Sequence, residues 1–228
     1  MNPSSTNLEE EDLNCVGQPK MIMDIHTTSK LNRRINKMGK LTFTYACMGG
    51  GKTTQMLTMF DQYKRRKKKP VIIKPCMDIR EGVFTGWGIT KSRITKNDEP
   101  TYYYHDLKTE LENLDFGVLF VDECQFLSRE DVLTLCGVCD EKDIDVYCFG
   151  LKTDINGNLF EGTKHLLALA DRIEEIRTPC EIEGCDCDAV CHIRYIDGKR
   201  ITEGSPVAIE TGNVTYKSVC RKHWKEII

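Results

Sequence analysis

The stretch LTFTYACMGGGKTT, residues 41–54, decides the fold. Its first part, LTFTYA, is β-rich and runs into the triplet Gly49, Gly50 and Gly51. Lys52, Thr53 and Thr54 then open a segment in which Met56, Met59, Phe60 and Tyr63 recur at helical spacing. Residues 46–53 match G-x-x-x-x-G-K-[ST] except at the first position, where Ala46 replaces glycine. Strand, glycine loop and helix in this order are the context the pattern requires. Glycines let backbone N–H groups turn inward around phosphate oxygens, and a helix N-terminus adds partial positive charge. The reading predicts a phosphate loop in which Ala46, Cys47, Met48, Gly49, Gly50 and Gly51 surround the phosphates. Lys52 is expected to bridge the β- and γ-phosphates and Thr53 to hold Mg²⁺. A nucleoside triphosphate is implied; ATPase, GTPase and kinase all remain open.

Beyond this stretch, further apolar strands are expected in VIIK (71–74), GVLFVD (117–122) and DVYCFG (145–150). They alternate with helical patterns. Ser128 with Asp131 reads as a capping box ahead of a face built by Val132, Leu135, Cys136 and Cys139. Thr163 reads as the cap of a helix carrying Leu166, Leu167 and Ala170. The basic run KRRKKK at 64–69, followed by Pro70, reads as the end of the helix that Lys52 opens. Strands apolar throughout, alternating with helices, imply an α/β fold with a parallel sheet covered on both faces. Asp122 and Glu123 then fall at the carboxyl edge of that sheet, where ligands bind in open α/β folds. Asp122 fits a Mg²⁺-holding aspartate, and Glu123 a base for an attacking hydroxyl.

Composition narrows the class. The chain has 228 residues, 40% of them hydrophobic and 29% charged, which excludes a wholly disordered protein. A formal net charge of −3 disfavours a general nucleic-acid binder, and no apolar run is long enough for a membrane span. The acidic N-terminus has no signal-peptide pattern, so a cytoplasmic location is expected. Residues 1–38 read as a disordered extension, with a short helix possible over 31–38. Residues 39–177 read as the α/β domain and 178–228 as a small β domain with hairpin signals, among them Asp197-Gly198 between CHIRYI and KRI.

Twelve cysteines is a high count, and the last five crowd into the small domain. Without a secretion signal the earlier ones read as reduced thiols. Cys180-x₄-Cys185 and Cys220-x₂-His223 form paired ligands suited to tetrahedral Zn²⁺, with Cys187 as a competing choice for the second position. Four protein ligands close such a site to water and make it structural. Cys191 and His192 lie inside an expected strand and read as packing residues.

The segments FTYACMGGGKTT, IIKPCMDIRE, LFVDECQFL, YCFGLKTDINGNLFEGTKHLLALAD and YKSVCRKHW occur in an order that resembles the type II thymidine kinases. The resemblance covers residues 41–224. It implies transfer of the γ-phosphate of ATP to the 5′-hydroxyl of thymidine, and of deoxyuridine, with Glu123 as catalytic base. Asp78, Arg80, Asp122 and Gln125 would lie on the ATP side. Met48, Phe126, Leu151, Ile155 and Phe160 would line the thymidine pocket. A lasso loop near 202–216 would close over the base through Val207, Ala208, Ile209, Glu210, Thr211 and Tyr216. Zinc would sit on Cys180, Cys185, Cys220 and His223. A homotetramer with no membrane or nucleic-acid partner is implied. Ile155 stands where many members have an aromatic ring, and Glu210-Thr211 where many have Gly-Gly. Two alternatives remain: another nucleoside kinase on the same scaffold, and an ATPase whose zinc module binds nucleic acid.

Overall fold

The computed structural model describes residues 38–75, 101–201 and 213–226. The expected extension 1–38 and the 31–38 helix lie outside the described residues apart from Met38. So do Asp78, Arg80, Val207, Ala208, Ile209, Glu210 and Thr211.

Six strands form one parallel sheet: β1 (Leu41–Tyr45), β2 (Pro70–Pro75), β3 (Thr101–Tyr104), β4 (Val118–Asp122), β5 (Asp145–Gly150) and β6 (Arg172–Glu175). Their spatial order is β3-β2-β4-β5-β1-β6, and every neighbouring pair is parallel. The connecting helices are α1 (Lys52–Arg65), α2 (Leu107–Asn113), α3 (Arg129–Lys142) and α4 (Glu161–Leu169). Alternate strand residues separate two cores. Leu41, Phe43, Leu119, Val121, Val146 and Cys148 pack with Leu107, Leu111, Val132 and Leu135. Val118, Phe120 and Phe149 face the other way, against Met56 and Phe60 of α1. A period of two along each strand explains this division, and burial on both faces explains why the strands are apolar throughout.

Several local expectations meet the structure directly. Ser128 and Asp131 form a reciprocal capping box at α3. The basic run begins in the last turn of α1, as expected, with Lys64 and Arg65, but the helix ends at Arg65, and Pro70 begins β2 instead of stopping the helix. Thr163 is not a cap. Phe160 holds the N-cap position of α4, and the Thr163 hydroxyl, fully buried, donates to the Leu151 carbonyl at 2.6 Å.

A second, antiparallel sheet of order β8-β7-β9 contains β7 (Cys191–Ile196), β8 (Lys199–Ile201) and β9 (Val214–Val219). Asp197 and Gly198 both have positive φ, 49° and 77°, as a tight hairpin turn between β7 and β8 demands. The short helix α5 (Arg221–Glu226) follows β9. The core here is small: Cys180, Ile193, Val219 and Cys220.

Candidate functional site

Strand register brings three chain segments to one edge. Tyr45 pairs with Gly150 and Asp122 with Phe149, so β1, β4 and β5 end side by side. The glycine loop leaves β1, Glu123 follows β4, and the 151–160 loop follows β5.

The glycine loop has the backbone its composition predicts. Gly49 and Gly51 take φ of 71° and 82°, a region costly for residues with a Cβ. A Cβ at Gly50 would lie 2.4 Å from the Thr178 hydroxyl and 2.8 Å from the Ala46 Cβ, so only glycine fits. Gly51 is the N-cap of α1, with no side-chain cap and no acidic residue in the first turn. The helix therefore presents uncapped N–H groups and its positive dipole end. Thr53 stands half-buried in that first turn. Lys52 Nζ folds over the loop, donating to the Cys47 carbonyl at 3.0 Å and the Ala46 carbonyl at 3.4 Å. Burial lowers the Lys52 pKa, while the Glu123 and Asp122 carboxylates act against that shift. Burial pushes the Cys47 thiol up to about 11, so it adds no negative charge to the loop at neutral pH.

The two carboxylates are held differently. Asp122 lies 3.3 Å from Lys74 Nζ and accepts the Glu123 N–H at 3.0 Å. Burial raises its pKa, and the Lys74 ammonium opposes that rise. Glu123 adopts a left-handed backbone, φ 55° and ψ 38°, which turns the chain from β4 into the 3₁₀ turn Cys124–Phe126. Such a conformation at a non-glycine residue costs about 1–2 kcal/mol and is characteristic of functional turns. Its side chain makes no capping bond, and the helix that follows is capped by Ser128. Glu123 instead accepts from Gln125 Nε2 at 2.6 Å and lies 3.6 Å from Lys74 Nζ. Gln125 is 2% exposed, and its Oε1 accepts the Leu151 N–H at 3.0 Å. Both ends of this amide are thus engaged within the site.

Around the third segment, Phe126 and Phe160 meet edge to face at 5.7 Å, and Leu151 and Ile155 are buried. The 151–160 loop is gripped from the small sheet and from α5. His192 Nε2 donates to the Thr153 carbonyl at 2.6 Å, and Trp224 Nε1 to the Ile155 carbonyl at 3.0 Å. His192 is a buried strand residue, as expected, with this bond in addition. Tyr216 is half-buried on β9, paired in register with Arg194.

The ligand atoms of Cys180, Cys185, Cys220 and His223 all lie within 4.8 Å of one another. Cys180 Sγ is 3.5 Å and Cys220 Sγ 3.4 Å from His223 Nδ1, and the Cys185–Cys220 sulfurs are 4.0 Å apart. Metal–sulfur bonds of about 2.3 Å and metal–nitrogen bonds of about 2.0 Å give a tetrahedron with edges of about 3.5–3.8 Å, so the four groups fit one tetrahedral ion. Desolvation disfavours the Cys180 thiolate, yet N–H groups of Cys220 and Ile182 and the His223 ring bring its thiol down to about 6. Cys187 is exposed and outside this cluster.

Residue pattern alone does not mark Lys74, Thr163, Thr178, Ser218 or Trp224 as parts of this site. Only Lys74 had a local signal, a charged residue at the end of an apolar strand.

The chain is similar to known proteins over most of its length. Residues 39–224 match the family described as thymidine kinase. Thymidine kinases of Streptococcus pyogenes serotypes M3 and M1 are each 40% identical over 192 residues, covering 82% of this chain and 97% of the relative. The thymidine kinase of Streptococcus agalactiae serotype Ia shows the same identity and coverage.

Proposed function

The chain belongs to the thymidine kinase family, and on that premise we propose that it transfers the γ-phosphate of ATP to the 5′-hydroxyl of thymidine, giving dTMP. The observation that carries the reading is the shared sheet edge, where Lys52, Asp122 and Glu123 converge beside the Phe126–Phe160 wall. Residues 46–53 act as the phosphate loop. Lys52 exchanges its loop carbonyls for β- and γ-phosphate oxygens and stabilises charge on the group in flight. Mg²⁺ neutralises phosphate charge when bound, and Thr53 and Asp122 are the residues to hold it.

Glu123 accepts the proton of the 5′-hydroxyl. Gln125, placed on the ATP side, also donates to one oxygen of that carboxylate and orients it. Met48, Phe126, Leu151, Ile155 and Phe160 form the apolar part of the thymidine site, with Tyr216 and residues 207–211 closing it. Asp78 and Arg80 flank the nucleotide.

Residues 39–177 constitute the kinase domain and 178–228 a zinc-binding lasso domain. Three thiols and one imidazole are the donor set of a structural zinc site. The protein acts as a cytoplasmic homotetramer, which light scattering on the purified chain tests. The decisive experiment on function is phosphorylation of thymidine, deoxyuridine and deoxycytidine side by side with ATP. Thymidine and deoxyuridine are expected to be substrates. Turnover of deoxycytidine alone would identify a different nucleoside kinase.

A further inference from the structure

We propose that Ser218 is a positioning residue for phosphoryl transfer, its hydroxyl fixing the Met48 carbonyl and coupling the Cys180–Cys185–Cys220–His223 cluster to the phosphate loop. The Ser218 hydroxyl donates to the Met48 carbonyl at 2.7 Å, across 170 residues of sequence. Ser218 is 1% exposed, and water does not compete for that bond. Its own backbone is clamped on both sides. The Ser218 N–H donates to the Glu181 carboxylate at 2.6 Å, and the Ser218 carbonyl accepts the Glu181 N–H at 2.9 Å.

Those clamps lead straight to the cluster. Glu181 is adjacent to Cys180, and Ser218 stands two residues before Cys220. The Cys220 N–H donates to Cys180 Sγ at 3.3 Å, joining the two ligand segments. The same spacing recurs on the other segment: Thr178, two residues before Cys180, is the side chain against which Gly50 packs. Both segments that supply ligands therefore place a hydroxyl residue on the glycine loop.

The consequence for phosphate binding follows from peptide planarity. In a trans peptide the carbonyl of Met48 and the N–H of Gly49 point in opposite directions. Drawing the Met48 carbonyl toward Ser218 turns the Gly49 N–H away from Ser218 and leaves it to meet a phosphate oxygen. The Gly50 N–H donates to the Cys47 carbonyl at 3.1 Å and closes a turn whose central peptide is Met48–Gly49; Gly49, at φ 71°, has no side chain to resist a flip of that peptide within the turn, and the Ser218 bond opposes the flip. A lost N–H removes one donor from the nest that receives phosphate oxygens. The role rests on the kinase reading only in naming ATP as the ligand.

The test uses the full-length, metal-loaded chain and calorimetric binding of a non-hydrolysable ATP analogue with Mg²⁺. Ser218→Ala is expected to bind the analogue about fivefold more weakly, the effect of one net hydrogen bond, and to raise the ATP KM similarly. Zinc content and thymidine KM should stay at wild-type values. Ser218→Thr keeps the hydroxyl and should bind within about twofold of wild type. Stripping zinc from the wild-type chain with a chelator should reproduce the weaker binding. A merely structural role would lower thermal stability without moving analogue affinity. Wild-type analogue affinity in Ser218→Ala, or equal weakness in the Ala and Thr variants, overturns the proposal. A chain that fails to phosphorylate thymidine yet shows the Ser218 effect loses the kinase reading and keeps this one.

Discussion

The two sheets of this molecule are stabilised by different means. The parallel sheet buries apolar side chains on both faces, from Phe43 and Leu119 on one to Phe120 and Phe149 on the other. The core against the antiparallel sheet has four buried residues, Ile193 and Val219 with Cys180 and Cys220, and the two cysteines belong to the cluster that could hold a metal ion. Burial suffices for the first; the second has a smaller core, and under the proposed zinc site ligation adds what burial does not supply. The chemistry divides in the same way. The large sheet supplies the charged groups at its edge. The small sheet and the helix that follows it grip the loops around them, through Ser218 on Met48, His192 on Thr153 and, from α5, Trp224 on Ile155. On the proposed function, one sheet carries the reacting groups and the other sets the geometry in which they act.

The sharpest way to test this division is at the charged edge. Lys52→Ala should reduce turnover on the order of 10³-fold, because a preorganised donor to the transition-state charge is lost. The fold should survive, since the hydrogen bonds of the Lys52 ammonium among the described residues go to loop carbonyls. Circular dichroism beside a steady-state assay checks both halves, and near-normal turnover would refute the phosphate-loop assignment.

Metal removal probes the other sheet. With zinc chelated, or in Cys220→Ser, amides of β7 and β9 should lose most of their hydrogen-exchange protection while β1, β4 and β5 keep theirs. Metal analysis should find about one zinc per chain beforehand. Uniform loss across both sheets would show that the large sheet also depends on the metal.

A smaller effect concerns the stability of the edge itself. Burial raises the Asp122 pKa above its unfolded value, so the folded state binds more protons than the unfolded one as pH rises through that interval. This group's contribution therefore falls with rising pH, from the unfolded carboxylate range up to the raised folded value. Asp122→Asn should make the ligand-free chain more stable at neutral pH and flatten that pH dependence, while lowering activity. Urea unfolding at several pH values reads the sign. A destabilised variant at neutral pH would mean that the Lys74 ion pair outweighs desolvation.

How much of this could be read from sequence follows from how local each feature is. The glycine loop, the Asp122-Glu123 pair and the Ser128 capping box each occupy one short segment, and their chemistry depends on spacing alone. The apolar strands 118–122 and 145–150 were legible because both faces are buried. β6 was not: RIEE is exposed along its length and has no apolar pattern, and it is a strand only because β1 offers an edge to pair with. Thr163 has the composition of a cap, yet the Leu151 carbonyl, twelve residues away, takes its hydroxyl. The Gln125 bridge between Glu123 and Leu151 and the Ser218 bond to Met48 join distant segments. No periodicity encodes such contacts; they arise only when the strands align.

The central claim is that Glu123 is the base and Asp122 the metal-side carboxylate. Glu123→Gln keeps the shape and the hydrogen-bonding reach but removes basicity, and general-base catalysis is worth about 10²–10⁴-fold. The most direct measurement is kcat of Glu123→Gln together with its affinity for ATP. A drop in kcat of about 10²–10⁴-fold is expected, with ATP affinity close to that of the wild type. An unchanged kcat, or loss of ATP binding in Glu123→Gln with full turnover in Asp122→Asn, would contradict it.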